Sequence, residues 1–184
     1  MRATRSAEPK TPLLRRRSSL RVRPDGGLRL AVVADTHSHP HPDSARHIAA
    51  IEPDAILHAG DIGDLSVLDD LGRVAPVLAV RGNNDSGDWA ARLPETLIAD
   101  CVPGLRALIV HDLKTLACDA RAAGCAVVVS GHSHRPLIER RDGVLYLNPG
   151  SAGPRRFRLP LSCGWLGLDA DGRLHAGIEL LEPD

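Results

Sequence analysis

The sequence predicts an α/β fold in which strands and helices alternate before a final group of antiparallel strands. Short apolar runs recur from Leu28 onward, and each is followed by a polar or glycine-containing segment. Helix-length segments separate the first runs, whereas tight turns join the last ones. The first arrangement is typical of strands flanked by helices, and the second is typical of β-hairpins.

The elements follow in order along the chain. The alternating part contains predicted strands at residues 30–34, 55–57, 76–80, 105–110 and 126–130. Predicted helices cover residues 43–51, 64–72 and 114–123, the last one ending at Gly124. Residues 137–141 and 144–147 form a predicted hairpin across Asp142-Gly143, and residues 162–168 and 174–181 form another, joined through residues 169–172.

Seven polar side chains follow these strands, in segments that read Asp-Thr-His, Gly-Asp, Gly-Asn-Asn-Asp, Val-His-Asp and Gly-His-Ser-His. They are Asp35, His37, Asp61, Asn83, His111, His132 and His134. Side chains two residues apart in an extended chain face the same way, so each Asp-x-His or His-x-His pair projects into one site. Because functional loops gather at the carboxyl ends of strands, we expect all seven residues to meet there.

This set of carboxylates, imidazoles and an amide oxygen suits two divalent transition metals such as Mn, Fe, Ni, Co or Zn. Two ions about 3.5–4 Å apart need a shared ligand. Asp61 is the middle carboxylate in the sequence and is our candidate for that bridge. A single Asp-x-His or Gly-Asp motif would equally fit an ordinary turn, but five segments in this order predict a metal site.

The segments resemble the calcineurin-like metallophosphoesterases, in particular their small, YfcE-like phosphodiesterase branch. The resemblance runs from Leu28 to about Arg158 and includes the Asn-Pro-Gly-Ser loop at residues 148–151. It implies a two-sheet α/β sandwich flanked by helices. It also implies a first metal held by Asp35, His37, Asp61 and His134, and a second held by Asp61, Asn83, His111 and His132.

The resemblance further implies a dinuclear phosphodiesterase in which a metal-bridging hydroxide attacks phosphorus, and it favours Mn. Two divalent ions, the carboxylates of Asp35 and Asp61 and one hydroxide leave a formal charge of about +1, which a phosphodiester monoanion would neutralise. Two alternatives stay open. One is a non-catalytic binding scaffold on the same fold, as in the retromer subunit that resembles these enzymes, and the other is a phosphomonoesterase.

Two residues depart from the family pattern. Asn84 stands where many members have a histidine that meets the phosphate or protonates the leaving group, and Asp112 follows His111 where most have glycine. The general acid is therefore open, with Asn84 and His39 as the candidate residues. His39 lies in a Ser-His-Pro-His-Pro loop that we interpret as solvated and able to face the substrate. His58 is expected to make a supporting hydrogen bond or to be a core histidine.

Arg155 and Arg156 follow the Asn-Pro-Gly-Ser loop. Their guanidinium groups either contact a phosphate oxygen of the substrate or form a solvated basic turn, and the sequence does not separate these interpretations.

Composition limits the function further. Aromatic residues make up 2% of the chain and the formal net charge is zero, so a stacking platform for single-stranded nucleic acid or a general nucleic-acid binder is not expected. Residues 1–27 are basic and predicted to be a disordered tail before a domain at 28–184. No run of about 20 apolar residues and no signal-peptide core is present, which predicts a cytoplasmic protein acting on a small-molecule or nucleotide phosphodiester.

Overall fold

The computed structural model describes residues 14–17, Leu20 and residues 23–181 of the 184-residue chain. Its strands form two sheets that enclose an apolar layer, and helices lie on the outside. The predicted two-sheet α/β sandwich is therefore confirmed. Within the described part of the chain, no helix combines the length and the apolar character that crossing a lipid bilayer requires.

The strands are β1 (Leu14–Arg17), β2 (Leu28–Val33), β3 (Ala55–His58), β4 (Val77–Ala79), β5 (Thr96–Val102), β6 (Leu105–Val110), β7 (Val127–Val129), β8 (Leu137–Arg141), β9 (Val144–Asn148), β10 (Ser162–Leu168) and β11 (Leu174–Leu180). The helices are α1 (Ser44–Ala50), α2 (Leu65–Gly72) and α3 (Gly87–Ala91), with one 3-10 turn at Leu113–Thr115. Both predicted hairpins, β8–β9 and β10–β11, are present.

One sheet has the order β11-β10-β2-β3-β4, and the other has the order β1-β5-β6-β7-β9-β8. In the first, β2, β3 and β4 run parallel. In the second, β6, β7 and β9 run parallel. Parallel neighbours end at the same edge of a sheet, so the segments that follow these strands lie close together.

Strand β2 is buried on both faces, as expected for a strand between two covered layers. Leu30 and Val32 face the layer between the sheets, where they pack with Ile109 and Val129 of the other sheet. Ala31 and Val33 face the opposite way and pack under α1 and α2. The apolar layers thus hold β2 in one register, and this fixes where the chain leaves the sheet toward Asp35.

Helix α2 is defined by its cap and its apolar face. The Asp64 carboxylate accepts a hydrogen bond of 2.8 Å from the backbone N–H of Ser66, which satisfies one of the free donors at the helix start. Val67 and Leu71, four residues apart, are buried against the five-stranded sheet.

The predicted helix at residues 114–123 is wrong. The segment instead contains the Leu113–Thr115 turn and a second turn before Gly124. Each turn has its own cap: Asp112 accepts from the backbone of Lys114, and Asp119 accepts from the backbone of Arg121 and Ala122. Aspartates that bind nearby N–H groups compete with a continuous helix.

Residues 1–27 were predicted to be a disordered tail. Leu14–Arg17 is instead a strand paired in parallel with β5, because that edge offers unpaired backbone groups. Arg23 is also fixed, since its Nε lies 3.0 Å from an Asp54 carboxylate oxygen. The prediction for residues 1–13, 18–19 and 21–22 lies outside the described residues. The domain boundary at residue 28 stays a prediction.

Candidate metal centre

The seven predicted ligands lie together where strands of the two sheets end. Asp35, Asp61 and Asn83 follow β2, β3 and β4 of the five-stranded sheet. His37 also follows β2, whereas the other three histidines follow strands of the other sheet, namely β6 for His111 and β7 for His132 and His134. The centre therefore straddles the sandwich, and each sheet supplies part of it.

A first group consists of Asp35, His37 and His134. Nε2 of His134 lies 3.3 Å from Oδ1 of Asp35 and 3.4 Å from Nε2 of His37. The two imidazole rings are stacked, with their centroids 5.3 Å apart. The ligand atoms of the three residues lie within 4.8 Å of one another, which is compatible with one shared cation.

A second group consists of Asn83, His111 and His132. Oδ1 of Asn83 lies 3.1 Å from Nε2 of His111 and 2.9 Å from Nδ1 of His132. The two ring nitrogens are 3.3 Å apart, and the rings meet edge to face. His111 is buried, whereas Asn83 and His132 are exposed, so this side of the centre opens to solvent.

Asp61 lies between the two groups and is only 1% exposed. Its Oδ2 is 3.3 Å from Nε2 of His111 on one side and 3.8 Å from Nε2 of His37 on the other. Asn84 binds both carboxylate oxygens, through its backbone N–H at 2.8 Å and its side-chain amide at 2.6 Å. Burial alone would raise the pKa of Asp61, but the hydrogen bonds from His111 and Asn84 lower that pKa well below its usual range, so the carboxylate stays charged.

Contacts on the side away from the centre orient several of the predicted ligands. Nδ1 of His111 lies 2.8 Å from the carbonyl oxygen of Ala59, which leaves Nε2 facing the centre. Such contacts fix the tautomer and the ring orientation of a ligating histidine. On the other imidazole, Nε2 of His132 lies 3.8 Å from Oδ2 of Asp112, while Nδ1 points to Asn83. Asp112, the departure after His111, thus lies behind a ligand.

The backbone at the centre is unusual. Five of the seven predicted ligands have a left-handed backbone, with φ between 47° and 66°; they are Asp35, His37, Asp61, His132 and His134. Outside glycine this conformation is uncommon, and its clustering is typical of functional sites, where the surrounding structure holds it in place.

Glycines allow the segments to approach one another. A Cβ on Gly82 would lie 2.1 Å from the backbone nitrogen of Asp61, and one on Gly131 would lie 2.9 Å from Cβ of Ala34 and 3.0 Å from Oδ2 of Asp35. Separations below 3.0 Å require other atoms to move. The glycines of Gly-Asn and Gly-His therefore have a packing reason to precede the ligands.

A buried atom of the first group indicates that it suits a cation. Oδ1 of Asp35 has no hydrogen-bond partner within the described residues. Buried polar atoms normally have partners, so this oxygen points to a missing one. Because the surrounding donors are imidazole nitrogens and carboxylate oxygens, the residues fit a divalent transition metal.

The other predicted site residues are placed as follows. Asn84 is held against Asp61, so its amide is engaged with the candidate bridging carboxylate. His39 is exposed in the loop after His37, and its backbone N–H donates to the carbonyl of Thr36. Arg155 and Arg156 are both exposed, and Nη1 of Arg155 donates to the carbonyl of Leu159.

Sequence reasoning missed the role of Asp85. Its two carboxylate oxygens accept hydrogen bonds of 2.8 Å from the backbones of Gly63 and Gly82, and so join the loops that carry Asp61 and Asn83. Its place in the Gly-Asn-Asn-Asp segment was the available signal. The expected supporting bond of His58 is present, because its Nε2 lies 3.1 Å from Oγ1 of Thr36, between two ligands.

A cavity of about 760 Å³ lies elsewhere, between α1 and the β10–β11 hairpin. Its lining includes Arg29, His47 and Trp165, but none of the seven predicted ligands. Pockets often mark binding sites, yet this one lacks a convergent set of metal donors. The ligands define the candidate site more sharply than cavity size does.

The fold and this centre define a class: an α/β sandwich with a candidate divalent-metal site at its strand ends. The chain belongs to the calcineurin-like phosphoesterase superfamily, since the family model described as "Calcineurin-like phosphoesterase superfamily domain" matches residues 28–171. All seven predicted ligands fall within that match.

The curated relatives agree with this membership. A probable metallophosphoesterase of Methanothermobacter thermautotrophicus is 32% identical over 144 residues, which cover 71% of this chain and 81% of the relative. A phosphodiesterase of Methanocaldococcus jannaschii is 28% identical over 138 residues, which cover 67% of this chain and 83% of the relative.

Solved structures share the fold. A Vps29 variant from Entamoeba histolytica has a TM-score of 0.67 at 20% identity, covering 83% of this chain and 99% of its own. An archaeal phosphodiesterase has a TM-score of 0.64 at 21% identity, covering 83% of this chain and all of its own. The YfcE phosphoesterase of E. coli has a TM-score of 0.58 at 20% identity, covering 84% and 100%. These likenesses show a shared fold, and the family model confirms the resemblance to the calcineurin-like phosphoesterases.

Proposed function

We propose that the chain is a phosphodiesterase that depends on two divalent metal ions. The observation that carries this proposal is the position of Asp61, whose Oδ2 lies within 4 Å of an imidazole nitrogen of each ligand group. A single carboxylate between two groups of donors is the arrangement that a bridged metal pair requires. On this proposal, Asp35, His37 and His134 complete one site, and Asn83, His111 and His132 complete the other.

The charge of the centre favours an anionic ester. Two divalent ions against the carboxylates of Asp35 and Asp61 leave a formal charge of about +2 to attract the substrate. Bound there, such ions would polarise a phosphoryl group and lower the pKa of water toward about 7. Asn83 and His132 are exposed, so the positive charge of the bound ions would face solvent on that side of the centre.

Asn84 acts in this proposal by positioning Asp61. An amide can donate a hydrogen bond but cannot release a proton near neutral pH, so Asn84 does not protonate the leaving group. His39, exposed in the loop after His37, is the protein residue that we propose for that role. An enzyme whose proton donor lies in an exposed loop should act best on diesters with good leaving groups.

Arg156 is our candidate for a phosphate contact outside the metal pair. Burial lowers the pKa of His37, the carboxylates of Asp61 and Asp35 oppose that effect, and the positive charge of Arg156 adds to the lowering. The guanidinium group is therefore within electrostatic reach of the centre. Arg155, which donates to Leu159, is better suited to shaping the loop.

Similarity to the phosphodiesterase of M. jannaschii supports a diester rather than a monoester as substrate. The preference for Mn rests on family resemblance alone, and the donor set is equally compatible with Ni, Fe, Co or Zn.

The deciding experiment is elemental analysis of the full chain, followed by chelation and reloading with Mn, Ni or Zn. Each form is assayed on a nitrophenyl diester and on the matching nitrophenyl monoester. We expect close to two ions per chain and a higher kcat/KM on the diester. Two ions with faster monoester cleavage would make the chain a phosphomonoesterase. Failure to bind metal and to cleave either ester would favour a binding scaffold on this fold.

A further inference from the structure

The only phenylalanine of the chain is on its surface. Phe157 is 92% exposed, although the chain has one Phe, one Tyr and two Trp. The other three aromatic residues, Trp89, Tyr146 and Trp165, are partly buried. A single exposed apolar side chain is not unusual in itself. The turn and the arginines around Phe157 indicate a binding role for its side chain.

The loop around Phe157 holds the ring outward. Phe157 has a left-handed backbone, with φ of 54°, which is rare for a bulky residue. The turn is closed by two hydrogen bonds: the backbone N–H of Leu159 donates to the carbonyl of Arg156, and Nη1 of Arg155 donates to the carbonyl of Leu159. The exposed position is therefore part of a defined turn.

The base of this loop is packed on the metal centre. Oγ of Ser151 donates to the carbonyl oxygen of Asp35 at 2.9 Å. Gly153 packs against Thr36, the residue after Asp35, and a Cβ on Gly153 would lie 2.3 Å from the carbonyl oxygen of Thr36. Phe157 follows Gly153 by four residues, so the loop that carries the ring begins at the candidate metal centre.

We propose that Phe157 stacks on a nucleobase of the substrate, so that the substrate class is a phosphodiester carrying a base next to the scissile phosphate. This inference rests on the proposed phosphodiesterase function. Every base offers a flat face, so one aromatic ring binds bases with little sequence preference. Arg155, Arg156 and Arg158 flank the ring and supply the cations that a nucleotide phosphate attracts.

The loop suits one base better than the two other surfaces that aromatic residues bind. A nucleic-acid platform needs successive aromatic residues along a strand, whereas this loop offers one. Stable attachment to a lipid surface needs a larger apolar area or a lipid anchor, and the neighbours of Phe157 on both sides are arginines. The loop around Phe157 therefore offers an aromatic surface for one nucleotide.

The composition of the chain allows a direct test of stacking. Growth with 4-fluorophenylalanine places one fluorine reporter in the full chain, at Phe157, because no other phenylalanine is present. The fluorine resonance is titrated with a thymidine dinucleotide, with methyl deoxyribose 5-phosphate, which has no base, and with phosphatidylglycerol vesicles. We expect a saturable shift with the dinucleotide alone.

Two other results of this titration would overturn the inference. Equal shifts with the dinucleotide and the base-free phosphate would show that the base is not recognised. A shift with vesicles and none with the dinucleotide would identify a membrane contact. Because the titration measures binding, it stays informative if the protein has no hydrolase activity.

Kinetics separate this inference from the proposed function. The nitrophenyl ester of thymidine 5′-phosphate is compared with the nitrophenyl ester of deoxyribose 5-phosphate, using metal-loaded parent protein. Phe157→Ala and Phe157→Leu should each lower the ratio of the two kcat/KM values about tenfold, and Phe157→Trp should retain it. Cleavage of both esters with the same ratio in all four proteins would refute stacking but leave the phosphodiesterase intact. Absence of cleavage of either ester would count against the phosphodiesterase itself.

Discussion

Asp61 lies between the two groups of candidate metal ligands. It is buried, it receives hydrogen bonds from the backbone and side chain of Asn84, and it faces histidines of both ligand groups. These contacts keep it charged, because they hold its pKa well below the usual range against the opposing effect of burial. A charged carboxylate in this position can serve two cations, whereas a neutral one cannot.

Replacement of this carboxylate should therefore affect both ions. Asp61→Asn keeps the shape and tolerates the left-handed backbone, but removes the charge. We expect fewer than two ions per chain by elemental analysis and a loss of at least about 100-fold in kcat/KM, more than supporting residues cause. Asp69→Asn, an exposed aspartate on α2, is the control, and the loss should also exceed that of His39→Ala. Parent-like activity in Asp61→Asn would contradict the bridging role.

Asn84 stands where many members of the family have a histidine that can protonate the leaving group. An alkoxide leaving group needs protonation more than an aryl oxide does, so Asn84→His should improve cleavage of alkyl diesters more than of aryl diesters. The gain should follow protonation of the new imidazole and fade above about pH 7. Rates for both substrates between pH 5 and 9 at fixed Mn give the measurement. An equal change for both substrates would mean that another group already supplies the proton.

His58 supports the centre in its neutral form. It is completely buried, and burial lowers its pKa from 6.5 to about 4, against the attraction of Asp85. The backbone N–H of Gly60 donates to its Nδ1, so Nε2 carries the proton and faces Oγ1 of Thr36. Protonation of both nitrogens would break the bond from Gly60, which precedes Asp61.

This burial makes stability depend on pH. The pKa of His58 is lower in the folded chain than in the unfolded chain, so its contribution is complete above pH 6.5 and is lost as the pH falls toward 4. The lost contribution is about 3 kcal/mol at pH 4. In metal-free protein, the free energy of unfolding of His58→Gln should fall less between pH 7 and 4 than that of the parent. Parallel pH curves for the two proteins would contradict this account.

The segments that follow the strands approach one another closely at glycine residues. Gly131→Ala would place a Cβ about 3 Å from Ala34 and Asp35, and we expect a loss of about 1–3 kcal/mol in stability with weaker metal binding. Gly72→Ala is the matched control, because a Cβ there has no atom within 4 Å. Unfolding curves and metal titrations of both variants test the difference. Equal effects of the two substitutions would show that close packing at Gly131 is unimportant.

The strands that carry ligands were predictable because each combines a short apolar run with a polar end. The sequence analysis did not predict β1, β5 or α3. Strand β5 has an apolar run and ends at a Pro-Gly turn, where Gly104 has a positive φ, so it could have been predicted. Strand β1 has three arginines in four residues and no apolar pattern, so only its pairing partner determines it. Helix α3 has five residues, too few to show a helical period.

The gathering of the seven candidate ligands was predictable from spacing and resemblance, but the contacts among them were not. His134 and Asp35 are far apart in the chain, and their 3.3 Å approach depends on how the two sheets pack. The same holds for Asn84, whose side-chain amide donates a hydrogen bond to Asp61. Sequence identified the candidate groups, and tertiary packing determined which group supports which.

The candidate metal centre takes residues from both sheets, whose apolar contacts lie elsewhere. Metal binding to the folded chain should therefore raise its stability by mass action. At a thousandfold excess over Kd the gain is about 4 kcal/mol, or roughly 10 °C in Tm for a domain of this size. Thermal unfolding across a Mn titration is the measurement, with Asp61→Asn as control. A Tm independent of Mn in the range that supports activity would argue against ligands from both sheets.

The left-handed backbone at five of the predicted ligand positions also limits which substitutions these positions can accept during evolution. Aspartate, asparagine, histidine and glycine tolerate that conformation far better than β-branched residues do. Replacements of Asp35 or Asp61 by asparagine or glycine would fit the backbone conformation, while valine or isoleucine would strain it. A lineage can therefore abandon metal chemistry through a few mild substitutions and keep the sandwich intact for another use.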